Sequence, residues 1–200
     1  MPPEDLRGLE RMWADLAPVG RNGSTGGYRR FAWTAADAIL REWFTGEALR
    51  RGLEVVPDRA GNLWAWTADP GAGEPGLVLG SHLDSVPDGG AFDGPLGIAS
   101  AFAALDAVDR TALRRPVAIT CFADEEGARF GVACAGSRLL TGVLDPDRAR
   151  ALTDDDGTTM AAAMARAGVD PAAVGRDDEA VGRIGTFVEL HVEQGRALAD

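Results

Sequence analysis

Apolar residues recur along the chain at helical and at strand spacing, which predicts helices and strands in alternation. Thr34 begins one predicted helix, and Asp37 completes a start that is similar to a capping box. Pro95 suits the first turn of another helix. The predicted helices cover, in chain order, residues 1–18, 34–52, 95–110, 136–142 and 157–168.

Short apolar runs predict the strands. Residues 53–69 indicate two strands around a turn at 58–62. Three further buried strands are predicted, over 76–79, 116–123 and 184–192. Alternation of strands and helices predicts an α/β fold, with a mostly parallel, mixed sheet flanked by helices.

Each of these three apolar strands leads into a cluster of polar residues. The clusters read SHLD at 81–84, DEE at 124–126 and EQG at 193–195. In open α/β sheets, ligands bind outside the carboxyl ends of the strands. We therefore expect the three clusters to meet in one site.

The first cluster combines an imidazole with carboxylates. His82 offers a nitrogen to a metal, and Asp84 is placed to accept a hydrogen bond from the other ring nitrogen. Asp93 precedes Gly94, where glycine permits an unusual backbone. The alternative is a polar loop with a solvated histidine and a helix-capping aspartate, but the whole string at 80–97 favours a site.

The second cluster places adjacent carboxylates at a strand end, where they repel each other unless a cation or a shared proton intervenes. With a metal present, one carboxylate can be a ligand while its neighbour acts as a general base. The alternative is a helix N-terminus, whose dipole tolerates acidic residues.

The third cluster follows an apolar stretch. His191 would share one side of a strand with Glu189 and Glu193. A salt-bridged surface strand is the alternative, but the apolar residues of 187–192 predict a buried strand in which polar groups need partners.

Composition narrows the class of protein. The 200 residues are 46% hydrophobic and 26% charged, as expected of a soluble globular protein of one large or two small domains. A formal net charge of −11 disfavours a nucleic-acid partner. No run approaches the ~20 apolar residues of a membrane span, no signal peptide is evident, and two cysteines are too few for a disulfide scaffold. We expect a cytoplasmic protein without a membrane partner.

Two other patterns carry no function. GAGEPG at 71–76 fits a nucleotide-binding glycine motif, but it precedes a strand, so an oxidoreductase is disfavoured. Cys134 would need a histidine to act as a nucleophile, and the only two, His82 and His191, already belong to the predicted clusters.

Imidazoles and carboxylates at three strand ends are instead what a two-metal hydrolase requires. Zinc, manganese and cobalt all accept these ligands.

Three strings resemble metallopeptidase family 20, and more narrowly its hydantoinase/carbamoylase branch. They are GSHLDSVPDGGAFDGPLG at 80–97, FADEEGARFG at 122–131 followed by GSRLLTG, and HVEQG at 191–195. The resemblance runs from about Trp33 to the last residue. It implies a zinc-exopeptidase-like catalytic domain that hydrolyses a linear ureido or amidino C–N bond, in allantoate or an N-carbamoyl-L-amino acid, with release of ammonia. A dipeptidase or aminoacylase of the same family is the alternative.

The resemblance implies two divalent metal ions, zinc, manganese or cobalt. His82 would bind one ion, Asp93 would bridge both, Glu126 would bind the second and His191 would complete the first.

The resemblance also implies the roles of the remaining site residues. Glu125 would be the general base, Asp84 would orient His82, and Gln194 would position the substrate. A cis peptide bond is implied between Asp93 and Gly94.

In this family, a lid-and-dimerisation domain and a further histidine ligand lie downstream. We therefore expect residues 1–200 to be the N-terminal part of the catalytic domain, incomplete at its C-terminus, from a parent that is a homodimer. The chain alone is expected to be poorly active, and a non-catalytic fragment is the alternative.

Overall fold

A computed structural model of the protein describes residues 3–68 and 74–193. Seven α-helices, one short 3₁₀ helix and five strands lie in these ranges. The helices are α1 Pro3–Leu16, α2 Ala35–Arg50, α3 Pro95–Asp106, α4 Ala135–Leu140, α5 Pro146–Ala151, α6 Met160–Arg166 and α7 Asp178–Gly182. The strands are β1 Glu54–Pro57, β2 Leu63–Trp66, β3 Gly76–His82, β4 Val117–Phe122 and β5 Ile184–Val188.

The five strands form one mixed sheet in the order β1-β2-β4-β3-β5. β1 pairs with β2, and β2 with β4, in antiparallel orientation. β3 pairs in parallel with both β4 and β5. The predicted mixed α/β sheet is confirmed, and its parallel part consists of the three strands that carry the polar clusters.

Helix starts follow the predicted local chemistry. The Thr34 hydroxyl accepts a hydrogen bond from the Asp37 amide, and the Asp37 carboxylate accepts one from the Trp33 amide at 2.9 Å. The pattern is similar to a capping box, as predicted, but the carboxylate binds the amide of Trp33 rather than that of the N-cap residue Thr34. α3 begins at Pro95 as predicted but ends at Asp106, before the predicted end near Arg110. Asp109 caps the short 3₁₀ helix Arg110–Ala112 instead.

Apolar side chains cover both faces of the sheet. Leu63 and Ala65 face a core formed with α1, α2 and α3, in which Phe44 and Phe102 are fully buried. Trp64 and Trp66 point to the other face, because successive strand residues alternate. Within the described ranges, no helix is long and apolar enough to cross a membrane.

The last strand differs from its prediction. β5 ends at Val188 rather than at residue 192, and Phe187, Val188 and Leu190 are 40%, 49% and 53% exposed. β5 is an edge strand that pairs only with β3 among the described strands. The expectation of a buried strand is therefore wrong, because the apolar pattern cannot show whether a neighbour covers it.

Candidate metal site

Residues from all three polar strings meet at the carboxyl end of the parallel strands, as the strand positions predict: His82 and Asp93, Glu125, and His191. Gln194 and Gly195 of the third cluster lie outside the described residues. His82 is the last residue of β3, and it pairs in register with Phe122 of β4, just before the DEE segment. His82 Nε2 lies 3.6 Å from Asp93 Oδ1, and His191 Nε2 lies 3.4 Å from the same oxygen. One potential ligand atom from each of these residues falls within 4.8 Å of the others. This spacing suits a shared metal ion.

His82 is oriented by its own strand end. The side chain is fully buried, and Nδ1 lies 3.0 Å from the Asp84 carbonyl oxygen. A carbonyl only accepts hydrogen bonds, so Nδ1 carries a proton. Nε2 is buried and has no hydrogen-bond partner. Since buried polar atoms are nearly always paired, this orientation suits Nε2 as a metal ligand.

Asp84 acts differently from the expectation for its side chain. Its carboxylate lies 3.6 Å from His82 Nδ1, beyond hydrogen-bond distance. The carboxylate accepts instead from the backbone amides of Glu125 and Glu126, at 3.1 and 3.0 Å. Because the Asp84 carboxylate accepts hydrogen bonds from these two amides, it does not accept the hydrogen bond from the His82 imidazole that the sequence predicted. Asp84 therefore joins the first cluster to the second, and its carbonyl orients His82.

Glu125 and Glu126 take different positions in the site. Glu125 Oε2 lies 3.5 Å from His82 Nε2, and its side chain is 29% exposed, so small molecules can reach it. Glu126 Oε1 is buried and has no hydrogen-bond partner. Glu126 is not within 4.8 Å of all three atoms of the His82, Asp93 and His191 group.

The charges in the site strongly perturb its titration. Burial opposes the charged form of His82, but the neighbouring carboxylates of Asp84, Asp93 and Glu125 outweigh it and raise the pKa of His82 to about 11. Burial, followed by the charge of Asp93, raises the pKa of Glu126 to about 7. A divalent cation would relieve this excess of negative charge. The donor set and the unpaired buried atoms therefore fit a metal.

Gly94 allows the backbone to pass close to the imidazole. It has φ +79°, and a Cβ there would lie 2.6 Å from His82 Nδ1. Glycine is required on both grounds. No cis peptide bond occurs among the described residues, so the expected cis bond between Asp93 and Gly94 is wrong. The positive φ of Gly94 turns the chain at this point.

The segment after β5 carries the remaining predicted residues. Glu189 accepts a 2.6 Å hydrogen bond from Ser81 Oγ, which ties this segment to β3. His191 is 45% exposed and its Nδ1 lies 2.7 Å from the Val192 carbonyl oxygen. Gln194 lies outside the described residues, so its role stays a prediction. Ser81 was not singled out in the sequence, since its contact is visible only when β3 and β5 are paired.

Comparison with known proteins relates the site to a family. Residues 78–199, which contain all three motifs, match Peptidase family M20/M25/M40. The chain is 35% identical over 195 residues to the N-carbamoyl-L-amino acid amidohydrolase of Geobacillus stearothermophilus, covering 96% of this chain and 47% of that protein. It is 32% identical over 203 residues to the ureidoglycolate hydrolase of Arabidopsis thaliana, covering 98% of this chain and 42% of that protein.

Solved structures agree with these relatives. A hydantoinase/carbamoylase family amidase from Burkholderia ambifaria superimposes with a TM-score of 0.81 at 34% identity, covering 98% of this chain and 46% of that chain. The chain thus spans about half the length of the curated relatives it matches. The resemblance to the hydantoinase/carbamoylase branch is confirmed, and the chain belongs to Peptidase family M20/M25/M40.

Proposed function

We propose that the protein is the N-terminal part of the catalytic domain of a metal-dependent amidohydrolase. The parent enzyme cleaves a linear ureido or amidino C–N bond, in allantoate or an N-carbamoyl-L-amino acid, and releases ammonia. The observation that supports this most is the meeting of His82, Asp93 and His191 beside the carboxylate of Glu125. The names of the relatives, which include amidohydrolases and a probable allantoate deiminase from Oryza sativa, support the substrate class.

In this proposal the site would hold two divalent ions. His82 and His191 would be ligands of one ion, Glu126 would be a ligand of the second, and Asp93 would be available to both. When bound, zinc, manganese or cobalt polarises the carbonyl group of the substrate and neutralises the charge that develops on its oxygen. Glu126 lies outside the compact three-residue group, but the charge of Asp93 acts on its carboxylate. A carboxylate close to Asp93 and outside that group supports a second metal position.

Glu125 is the general base. Its partly exposed carboxylate takes a proton from the attacking water and then delivers that proton to the leaving nitrogen. Asp84 keeps the base in place through the amides of Glu125 and Glu126. The leaving nitrogen departs as ammonia, and the carbonyl carbon of an N-carbamoyl substrate is released as carbon dioxide. The names of the relatives support a small-molecule substrate. Gln194 positions that substrate.

The first test is ammonia release by the full-length parent protein, loaded in turn with manganese, zinc and cobalt. The substrates are allantoate, N-carbamoyl-L-amino acids and N-carbamoyl-β-alanine. A dipeptide is also tested, and its cleavage is measured as amine release. Turnover of a ureido substrate only with metal supports the proposal. Cleavage of the dipeptide alone would identify a peptidase. No turnover of any substrate would favour a non-catalytic protein.

The second test isolates the base. Glu125→Gln should lower kcat by at least about 100-fold while the metal content stays unchanged, because general-base catalysis contributes about 10²–10⁴-fold. Glu54→Gln, an exposed substitution on β1, is the matched control and should retain full activity. An active Glu125→Gln enzyme would overturn the assignment.

A further inference from the structure

Three backbone hydrogen bonds from the start of α4 hold the segment that contains Glu125. The amide of Cys134 donates to the Glu125 carbonyl at 2.5 Å. The amides of Ala135 and Gly136 donate at 2.9 Å to the carbonyls of Asp124 and Ala123. The start of α4 therefore runs against the DEE segment, and Cys134 lies directly opposite Glu125.

The side chains of this pair are also in contact. Cys134 Sγ lies 3.3 Å from Glu125 Oε1, within hydrogen-bond distance for sulfur. A carboxylate can only accept, so the thiol is the donor. The other oxygen, Oε2, is the one that lies 3.5 Å from His82 Nε2. One carboxylate thus has a thiol on one oxygen and the metal-site imidazole on the other.

The backbone at Cys134 is strained to make these contacts. Cys134 has φ +57° and ψ +33°, in the left-handed region, and Asp124 on the opposite segment has φ +51°. Residues other than glycine rarely adopt this conformation, because it brings Cβ too close to the following carbonyl oxygen. Strain of this kind persists where the surroundings impose it, and it clusters at functional sites.

We propose that Cys134 is a positioning residue for Glu125, whose thiol holds Oε1 so that Oε2 stays directed toward the metal site. The role rests on the proposed function of Glu125 as general base. Burial and the charge of Glu125 raise the pKa of the Cys134 thiol to about 11, so the thiol stays protonated at neutral pH and remains a donor. The role differs from that of a nucleophile, which would need a thiolate.

The contact is tested first on the metal-free chain, without any activity. Alkylation of the thiols by iodoacetamide at pH 8 is followed by mass spectrometry. Glu125→Gln removes the charge that raises the Cys134 pKa, so Cys134 should react faster. Each unit by which the pKa of Cys134 falls yields about tenfold more thiolate with about threefold lower nucleophilicity, so the alkylation rate should rise about threefold per unit. Buried Cys121 is the internal control, and Glu54→Gln should leave both rates unchanged. An unchanged Cys134 rate in Glu125→Gln would show that the contact does not exist.

The role in catalysis is tested on the metal-loaded parent. Cys134→Ser retains a donor and Cys134→Ala removes it, and thermal unfolding establishes that both variants are folded. We expect Cys134→Ala to lower kcat about fivefold with KM within twofold, corresponding to a hydrogen bond of about 1 kcal/mol, and Cys134→Ser to restore kcat to within twofold. Equal losses in both variants, or no loss in either while Glu125→Gln is inactive, would overturn the positioning role alone. Activity in Glu125→Gln would instead overturn the proposed function.

Discussion

Removing the charge of Glu126 should stabilise the metal-free chain and at the same time weaken metal binding. Glu126 Oε1 is buried without a hydrogen-bond partner. Burial, and then the charge of Asp93, raises the pKa of Glu126 from 4.5 to about 7. The ionised carboxylate is therefore unfavourable in the folded chain until a cation is present. Glu126→Gln keeps the shape and removes the charge.

The sign and size follow from this pKa. Between pH 4.5 and about 7 the folded chain binds more protons at Glu126 than the unfolded chain does, so its stability falls as the pH rises through this window. One pKa unit corresponds to about 1.4 kcal/mol, which sets an upper limit of about 3 kcal/mol at pH 8. Glu126 is partly exposed, and solvent screening reduces the expected gain to about 1–2 kcal/mol.

Chemical denaturation at pH 5 and pH 8, with a chelator and then with manganese or zinc, measures both effects. Glu126→Gln should be more stable than the wild type at pH 8 with chelator, equal to it at pH 5, and less stabilised by added metal. Glu54→Gln on exposed β1 should match the wild type throughout. A metal-free Glu126→Gln chain that is no more stable than the wild type at pH 8 would refute the reasoning.

Three further outcomes are expected. Binding of zinc at pH 7 to a Glu126→Gln chain, in which the partly protonated Glu126 cannot contribute, should still release a proton, because His82, with its pKa at about 11, must lose one to become a ligand; calorimetry in buffers of different ionisation enthalpy would detect none in this chain if His82 is not a ligand. Asn62→Ala should cost about 2–3 kcal/mol in denaturation, because it unpairs the buried Ala123 amide and removes the hydrogen bonds from Asn62 to Asp58 and to the Gly136 carbonyl; a loss under 1 kcal/mol would contradict this. Glu47→Ala should cost about 2–3 kcal/mol, because it removes the charge-assisted hydrogen bonds that Arg11 and Arg51 donate to buried Glu47, and thermal unfolding unchanged by the substitution would argue against it.

Local features of the fold were predictable because they depend on neighbouring residues. The capping box of Thr34 and Asp37 spans three positions, and proline at the start of α3 needs only its own geometry. Periodicity similarly located the strands, although β5 ends at Val188, before the predicted residue 192. The exposure of β5 could not be predicted, because its apolar residues do not reveal whether another strand pairs with them.

The sequence predicted that His82, Asp93 and His191 would lie together, and they meet at one sheet edge; their binding of metal stays a prediction. The contact of the Asp84 carboxylate differs from its prediction, because it accepts hydrogen bonds from amides 41 and 42 residues away in the sequence. Cys134 was recognised only as a poor nucleophile. Its contact with Glu125 depends on a left-handed backbone conformation that no sequence motif predicts.

The sequence by itself determined which chemical groups are available, where helices α2 and α3 begin, and that polar residues follow three strands of one sheet. Only the tertiary structure decided which oxygen meets which donor: the carbonyl of Asp84 rather than its carboxylate at His82, and the thiol of Cys134 at Glu125. The physical reason is range. Periodicity and capping act over a few residues, whereas a hydrogen bond between side chains depends on a distance of about 3 Å that only the packed chain sets.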